Sequence, residues 1–272
     1  MLLVDEPDCR AGVGRLPAIN VGLPRTATLW LSHVLAQLGV RSLHCNVGPA
    51  PAGVYSCVHP RGTSWRLAQS YKLALEQSNA SLVPSWVHSY AAWGDLPWYF
   101  APASFLQALA PNATYFASTR DVEAWLRSVA TTLEQPLLRA IHRTNWSCAT
   151  PPVYGTEIHS PRVRGPPLGA YLVLLEYSHK LFTTSHNIDA LELLCSGRSG
   201  TLDIPRLRRL MRFTFTEHHK RLEQSFPQIT YINPAVDGWL NTTYAVVSRL
   251  GLHRHCVNKT LAQHLISRPL KH

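Results

Sequence analysis

Apolar positions along the chain alternate between short continuous runs and runs with helical spacing. Short apolar runs, which predict buried strands, occur at residues 16–23, 40–45, 113–119 and 228–233, with an extended segment at 82–90. Helical spacing predicts helices at residues 26–39, 63–78, 99–110, 121–134, 169–186, 203–225 and 237–250. This alternation predicts an α/β fold of three layers, in which a parallel β-sheet is covered by helices on both faces.

The 272 residues suffice for one large domain of this class. We expect a single domain over residues 1–272, with residues 135–200 as an insertion that forms a lid or a substrate-binding loop. The insertion begins with a segment rich in Pro and Arg that has no clear period. No apolar run reaches 18 residues, so we predict no transmembrane helix, and a membrane anchor would lie outside this chain.

The net charge of +10 favours anionic binding partners. A solvated basic surface is the alternative. We predict no nucleic-acid partner, because the basic residues are scattered and no recognition motif is present. The six cysteines include no CxxC pair, so no metal site is predicted. Oligomeric state does not follow from the sequence.

Sequons for N-glycosylation are unusually common in this chain, since five of its nine Asn residues begin one. They are Asn79, Asn112, Asn145, Asn241 and Asn258. We therefore expect a glycoprotein of the secretory pathway, in the lumen of the Golgi, with the cytoplasm as the alternative.

The stretch VGLPRTATLW, residues 21–30, links the first predicted strand to the first predicted helix. Such a turn presents backbone N–H groups and the positive end of a helix dipole to an anion. The stretch lacks both the G-x-x-x-x-G-K-[ST] loop of NTPases and the G-x-G-x-x-G fingerprint of dinucleotide-binding folds. A second motif, STRDVEAWLRSV at residues 118–129, places Arg120 at the end of a strand and Ser128 on the following helix.

Together the two motifs resemble the P-loop-like sulfotransferases, which use 3′-phosphoadenosine 5′-phosphosulfate (PAPS). The resemblance runs through most of residues 16–252 and includes Asp95-Leu96-Pro97 and the late Gly238-Trp239 pair. It implies a P-loop NTPase-like fold and transfer of a sulfuryl group from PAPS, as co-substrate and without a metal, to an acceptor hydroxyl. It also implies binding positions for the donor. They are Arg25, Thr26, Ala27, Thr28 and Leu29 at the 5′-phosphate, Trp30 on the adenine, and Arg120 and Ser128 at the 3′-phosphate.

Catalysis needs a cation for the developing charge and a base for the acceptor hydroxyl. Arg25 is the predicted cation. Asp95 is the first candidate base, from its place in the family pattern, followed by His88 and then His44. Ala27 stands where the family commonly has Gly, which restricts the approach of the backbone to a phosphate.

The acceptor is a small molecule or a glycan, and the basic segment and the sequons favour a carbohydrate. Two other functions stay open. One is a non-catalytic protein that retains the fold and binds a nucleotide or a glycan. The other is a P-loop kinase, against which the missing Gly-Lys-Ser/Thr counts.

Overall fold

The computed structural model describes residues 16–45, 54–56, 74, 77–95, 98–135, 138 and 203–258. The chain divides into two compact units: residues 121–221 form one, and the rest of the chain forms the other. Two predicted helices lie outside the described residues: the one at 63–78, of which only positions 74, 77 and 78 are described, and the one at 169–186. Nearly all of the 135–200 insertion lies outside them as well.

The first unit contains a parallel sheet of six strands. These are β1 (Ala18–Asn20), β2 (Ser42–Cys45), β3 (Val54–Ser56), β4 (Ala92–Asp95), β5 (Thr114–Ser118) and β6 (Thr230–Ile232). Their order is β3-β2-β4-β1-β5-β6, and every neighbouring pair is parallel. The chain adds strands to one side of β1 and then to the other. In sheets of this kind, ligands bind beyond the carboxyl ends of the strands, where the order reverses.

Helices of the first unit cover both faces of this sheet. They are α1 (Thr28–Gln37), α2 (Ala103–Leu109), the end of α4 (Ile204–Ser225), α5 (Pro234–Asp237) and α6 (Trp239–Arg249), whereas α3 (Val122–Val129) and most of α4 belong to the second unit. Because successive strand residues point to opposite faces, Ala18 packs with α1 and α6, whereas Ile19 packs with α2 and the end of α4. The predicted three-layer α/β fold is therefore confirmed.

The second unit is described through α3 and most of α4. A π-helical turn, Ala130–Glu134, continues α3. The Trp125 ring of α3 lies 5.2 Å from the Phe215 ring of α4, which joins the two helices through aromatic packing. Arg208 adds an ion pair to Glu134, with 2.8 Å between Nη2 and Oε1.

One predicted element was wrong. Residues 82–90 are not an extended segment, because a 3-10 helix spans Ser85–Ser89 and the strand follows at β4. Val83 and Val87 are buried, and both belong to the core cluster that contains Ile19 and Trp93. The strand itself has the sequence Ala-Trp-Gly-Asp, in which three residues have low β-propensity, so its pattern did not predict a strand.

The other described strands and helices confirm the predictions, with boundaries that differ by a few residues. β3 is an addition, since it lies in a stretch for which no strand was predicted. Within the described part of the chain, no helix is long and apolar enough to cross a membrane.

Gly22, the second residue after β1, lies against the backbone of β5. A Cβ atom on Gly22 would be 2.4 Å from the Ser118 carbonyl oxygen and 2.7 Å from the Ser118 nitrogen. These distances are shorter than any van der Waals contact, and backbone atoms cannot move aside as a side chain can. Glycine is therefore required for the turn to stay beside β5.

We expect Gly22→Ala to lower the free energy of unfolding by about 1–3 kcal/mol, as overpacking does. Gly94→Ala is the matched control, because its nearest neighbour is the rotatable Ser32 Oγ at 3.2 Å. Urea unfolding of both variants measures the difference. Equal losses, or no loss at Gly22, would contradict the close approach.

Candidate functional site

Residues 21–27 join β1 to α1 in a turn with an unusual backbone. Arg25 has φ 70° and Ala27 has φ 75°, both in the left-handed region that residues with a Cβ rarely adopt. Ala27 is the N-cap of α1 and provides no side-chain hydrogen bond to the helix. The positive end of the helix dipole therefore faces the turn without a capping oxygen from Ala27.

A buried chain of hydrogen bonds holds this turn against β5. Asn20 Nδ2 donates to Ser118 Oγ at 3.0 Å, Ser118 Oγ lies 2.9 Å from Thr26 Oγ1, and Thr26 donates to the Leu23 carbonyl oxygen. Asn20 Oδ1 also accepts from the backbone N–H groups of Gly22 (3.0 Å) and Ser118 (3.1 Å). Sequence reasoning missed Asn20 and Ser118, although polar residues that end two apolar strands were a usable signal.

Two guanidinium groups lie at the turn. Arg120 Nη1 donates to the Arg25 carbonyl oxygen at 3.1 Å, which fixes Arg120 beside the turn. Burial lowers the pKa of the Arg25 guanidinium; the charge of Asp95 opposes this shift and the charge of Arg120 adds to it. Both guanidinium groups stay charged at neutral pH, because arginine is not deprotonated in proteins. Among the described residues of this site, two guanidinium groups and one carboxylate leave a positive surplus.

Asp95 ends β4 in a left-handed conformation, with φ 68°. Regular alternation would place its side chain on the same face as Trp93, the face opposite to α1. The departure from extended geometry accounts for the approach of the carboxylate to His44, with 3.6 Å between Asp95 Oδ2 and His44 Nε2. Asp95 is 6% exposed, and it interacts electrostatically with Arg25. The first candidate base and the candidate cation therefore lie in one site.

His44, on β2, lies beneath the start of α1 and is 1% exposed. Its Nε2 is 3.1 Å from Thr28 Oγ1. Burial, followed by the charge of Arg25, lowers the pKa of His44 to about 3, even with the Asp95 carboxylate nearby. A neutral and buried imidazole is a weak base, so this histidine is poorly suited to accept a proton from an acceptor.

Several residues predicted to contact the donor lie at the turn but use their side chains elsewhere. The Thr26 hydroxyl is fully buried in the hydrogen-bond chain of Asn20, and the Thr28 hydroxyl contacts His44. Leu29, in the first turn of α1, is partly buried. Trp30 is 6% exposed in the core, with its ring 5.0 Å from that of Trp239. The structure shows Trp30 as an aromatic of the core, and its predicted place on the adenine stays a prediction.

The second candidate base, His88, is not brought to the turn. His88 is exposed on the 3-10 helix that precedes β4, whereas Asp95 ends that strand, so the two lie toward opposite ends of it. The His88 ring instead lies 6.1 Å from the Trp93 ring. Ser128 lies on α3 in the second unit, and its pairing with Arg120 on a 3′-phosphate stays a prediction.

The family model described as a sulfotransferase domain matches residues 18–160, which is more than half of the chain. The chain belongs to this family. The predicted resemblance is thus confirmed, and the matched range begins at β1 and contains the turn, His44, Asp95 and Arg120. No curated protein matches the chain. Membership supports sulfuryl transfer as the general activity of the domain.

Ala27 adopts a conformation that suits glycine. We expect Ala27→Gly to raise the free energy of unfolding by about 0.5–1 kcal/mol, because relief of the left-handed strain exceeds the entropy cost of glycine. Ala36→Gly, inside α1, is the matched control and should destabilise by about 1 kcal/mol. Thermal unfolding of the two variants should therefore give shifts of opposite sign; shifts of the same sign would contradict the strain at residue 27.

Proposed function

We propose that the chain transfers a sulfuryl group from PAPS to an acceptor hydroxyl. The observation that carries the proposal is the grouping of Arg25, Arg120 and Asp95 at the start of α1 in a sulfotransferase domain. An uncapped helix start with two guanidinium groups fits a phosphosulfate, since anions bind at such helix ends. The backbone N–H groups of residues 26–29 would hold the 5′-phosphate, and Arg120 would hold the 3′-phosphate.

Each residue in this proposal has a separate task. Arg25 stabilises the charge that develops on the 5′-phosphate as the bond between its bridging oxygen and sulfur breaks. Asp95 accepts the proton of the acceptor hydroxyl while the acceptor oxygen forms its bond to sulfur. The products are the sulfated acceptor and adenosine 3′,5′-bisphosphate, with the proton on Asp95.

We expect Asp95→Asn to lower the rate of transfer by about 10²- to 10⁴-fold, as loss of a general base does. Binding of adenosine 3′,5′-bisphosphate should change little in that variant, because the carboxylate would act on the acceptor. Labelled-sulfate transfer to a panel of glycans, phenols and peptides measures the rate, and calorimetry measures the binding. Arg25→Gln should lower both the transfer rate and the affinity for the bisphosphate. The matched control is Arg41→Gln, at an exposed position just before β2, which should change neither quantity.

The outcomes separate the alternatives. Full activity in Asp95→Asn would remove Asp95 from the mechanism. Bisphosphate binding without transfer to any acceptor would favour the non-catalytic protein, and binding of ATP with Mg²⁺ would favour the kinase. Absence of both binding and transfer would overturn the proposal.

We further propose that the chain works in the lumen of the secretory pathway, on a glycan acceptor. Cys256 is disulfide-bonded and buried, and disulfides persist in oxidising compartments. Of the sequon asparagines in the described part of the chain, Asn79, Asn112 and Asn241 are exposed. Asn79 begins a turn in which Oδ1 accepts hydrogen bonds from the backbone N–H and hydroxyl of Ser81.

We expect each of Asn79→Gln and Asn112→Gln to remove the mass of one glycan from the protein expressed in its own cells. Ser81→Thr is the matched control, because it keeps the sequon at Asn79 and should keep that glycan. Glycosidase digestion followed by mass spectrometry measures the change. Unmodified asparagine at all five sequons would contradict the lumenal assignment.

A further inference from the structure

His44 is the buried titratable group of the site to which the proposed chemistry gives no role. Its ring lies between the first residue of α1 and the last residue of β4, with Nε2 at 3.1 Å from Thr28 Oγ1 and 3.6 Å from Asp95 Oδ2. The other ring nitrogen, Nδ1, is buried and has no hydrogen-bond partner among the described residues. The two nitrogens are therefore in unlike surroundings.

These surroundings select one neutral form of the ring. A proton on Nδ1 would be a buried donor without an acceptor, and the Nε2 lone pair would then face the carboxylate of Asp95. A proton on Nε2 leaves Nδ1 as an unpaired acceptor, but it replaces repulsion between the Nε2 lone pair and the Asp95 carboxylate by attraction, and it can be donated to the Thr28 hydroxyl. The two charged groups that act on the ring are Arg25 in the turn and Asp95 on β4, while α1 contributes only the neutral Thr28 at this point.

The direction of the hydrogen bond determines what Thr28 can do. If Nε2–H donates to Thr28 Oγ1, the hydroxyl proton is not used by His44 and is left to another acceptor. Thr28 is the first residue of α1, where the backbone N–H groups also point out of the helix. The hydroxyl then joins these groups as a donor for an anion.

We infer that His44 is a positioning residue, which as the Nε2–H tautomer fixes the Thr28 hydroxyl as a donor to the anion bound at the start of α1. The inference rests on the proposed function for the identity of that anion, a phosphosulfate or its bisphosphate product. It assigns His44 no proton transfer. Burial and the charge of Arg25 lower the pKa of His44 to about 3, so the ring stays neutral throughout the physiological range.

The tautomer can be tested without a ligand. We expect nitrogen–proton correlation spectra of the full chain to show the His44 proton on Nε2, without titration between pH 5 and 8. A proton on Nδ1, or titration of His44 in this range, would overturn the inference.

A double-mutant cycle tests the role of the pair. We expect His44→Leu and Thr28→Val each to weaken binding of adenosine 3′,5′-bisphosphate by about tenfold, and the double variant to weaken it little further. His44→Gln should stay within about threefold of the wild type, because its amide N–H can replace the imidazole donor. Additive losses, or no rescue by Gln, would overturn the inference.

The proposed function and this inference fail in different experiments. Failure of the function appears as absence of bisphosphate binding in the wild-type chain. In that case, the spectra and the same cycle measured by urea unfolding still decide whether His44 donates to Thr28. The pH profile of kcat provides the remaining control: its inflection should persist in His44→Gln, and its loss would make His44 the base instead.

Discussion

The site depends on the side chain of Asn20, which joins β1, the turn and β5. Asn20 donates to Ser118 and accepts from two backbone N–H groups, and through Ser118 its hydrogen bonds reach Thr26. All three side chains are at most 2% exposed. A typical hydrogen bond contributes about 1 kcal/mol, but a buried group that loses its partner costs about 1–3 kcal/mol. Removal of any member of this chain would therefore release the turn.

This buried support allows the backbone above it to be strained. Arg25, Ala27 and Asp95 all have left-handed φ values. For a residue other than glycine, this conformation costs about 1–2 kcal/mol. Strain of this kind persists only where the surroundings over-determine the conformation, and it is concentrated at functional sites. At Asp95 the left-handed conformation brings a carboxylate toward the side of the sheet that carries α1. In a regular extended strand, the Asp95 side chain would instead lie on the same face of the sheet as Trp93.

The sequence was sufficient for the order of most elements and for the turn, because apolar periodicity and the residues after β1 report on local structure. It also placed Arg120 at the end of a strand, whereas the strand that ends at Asp95 was not predicted. It did not report the contacts that the side chains predicted for the donor site make within the protein. The Thr26 hydroxyl is bound within the turn and the Trp30 ring packs against that of Trp239, so their roles at the donor site stay predictions. Such contacts join distant segments of the chain and leave no local pattern in the sequence.

The electrostatics of the site follow from the burial of a single histidine. Proton uptake by His44 would place a further cation near Arg25 in a position with almost no access to water, so the ring stays neutral. The attraction for an anion then comes from guanidinium groups, whose charge does not change at any physiological pH. Among the described residues of this site, Asp95 is therefore the acidic group on which the pH dependence of the chemistry would depend. The neutral histidine contributes hydrogen-bond direction to Thr28, and the arginines contribute charge.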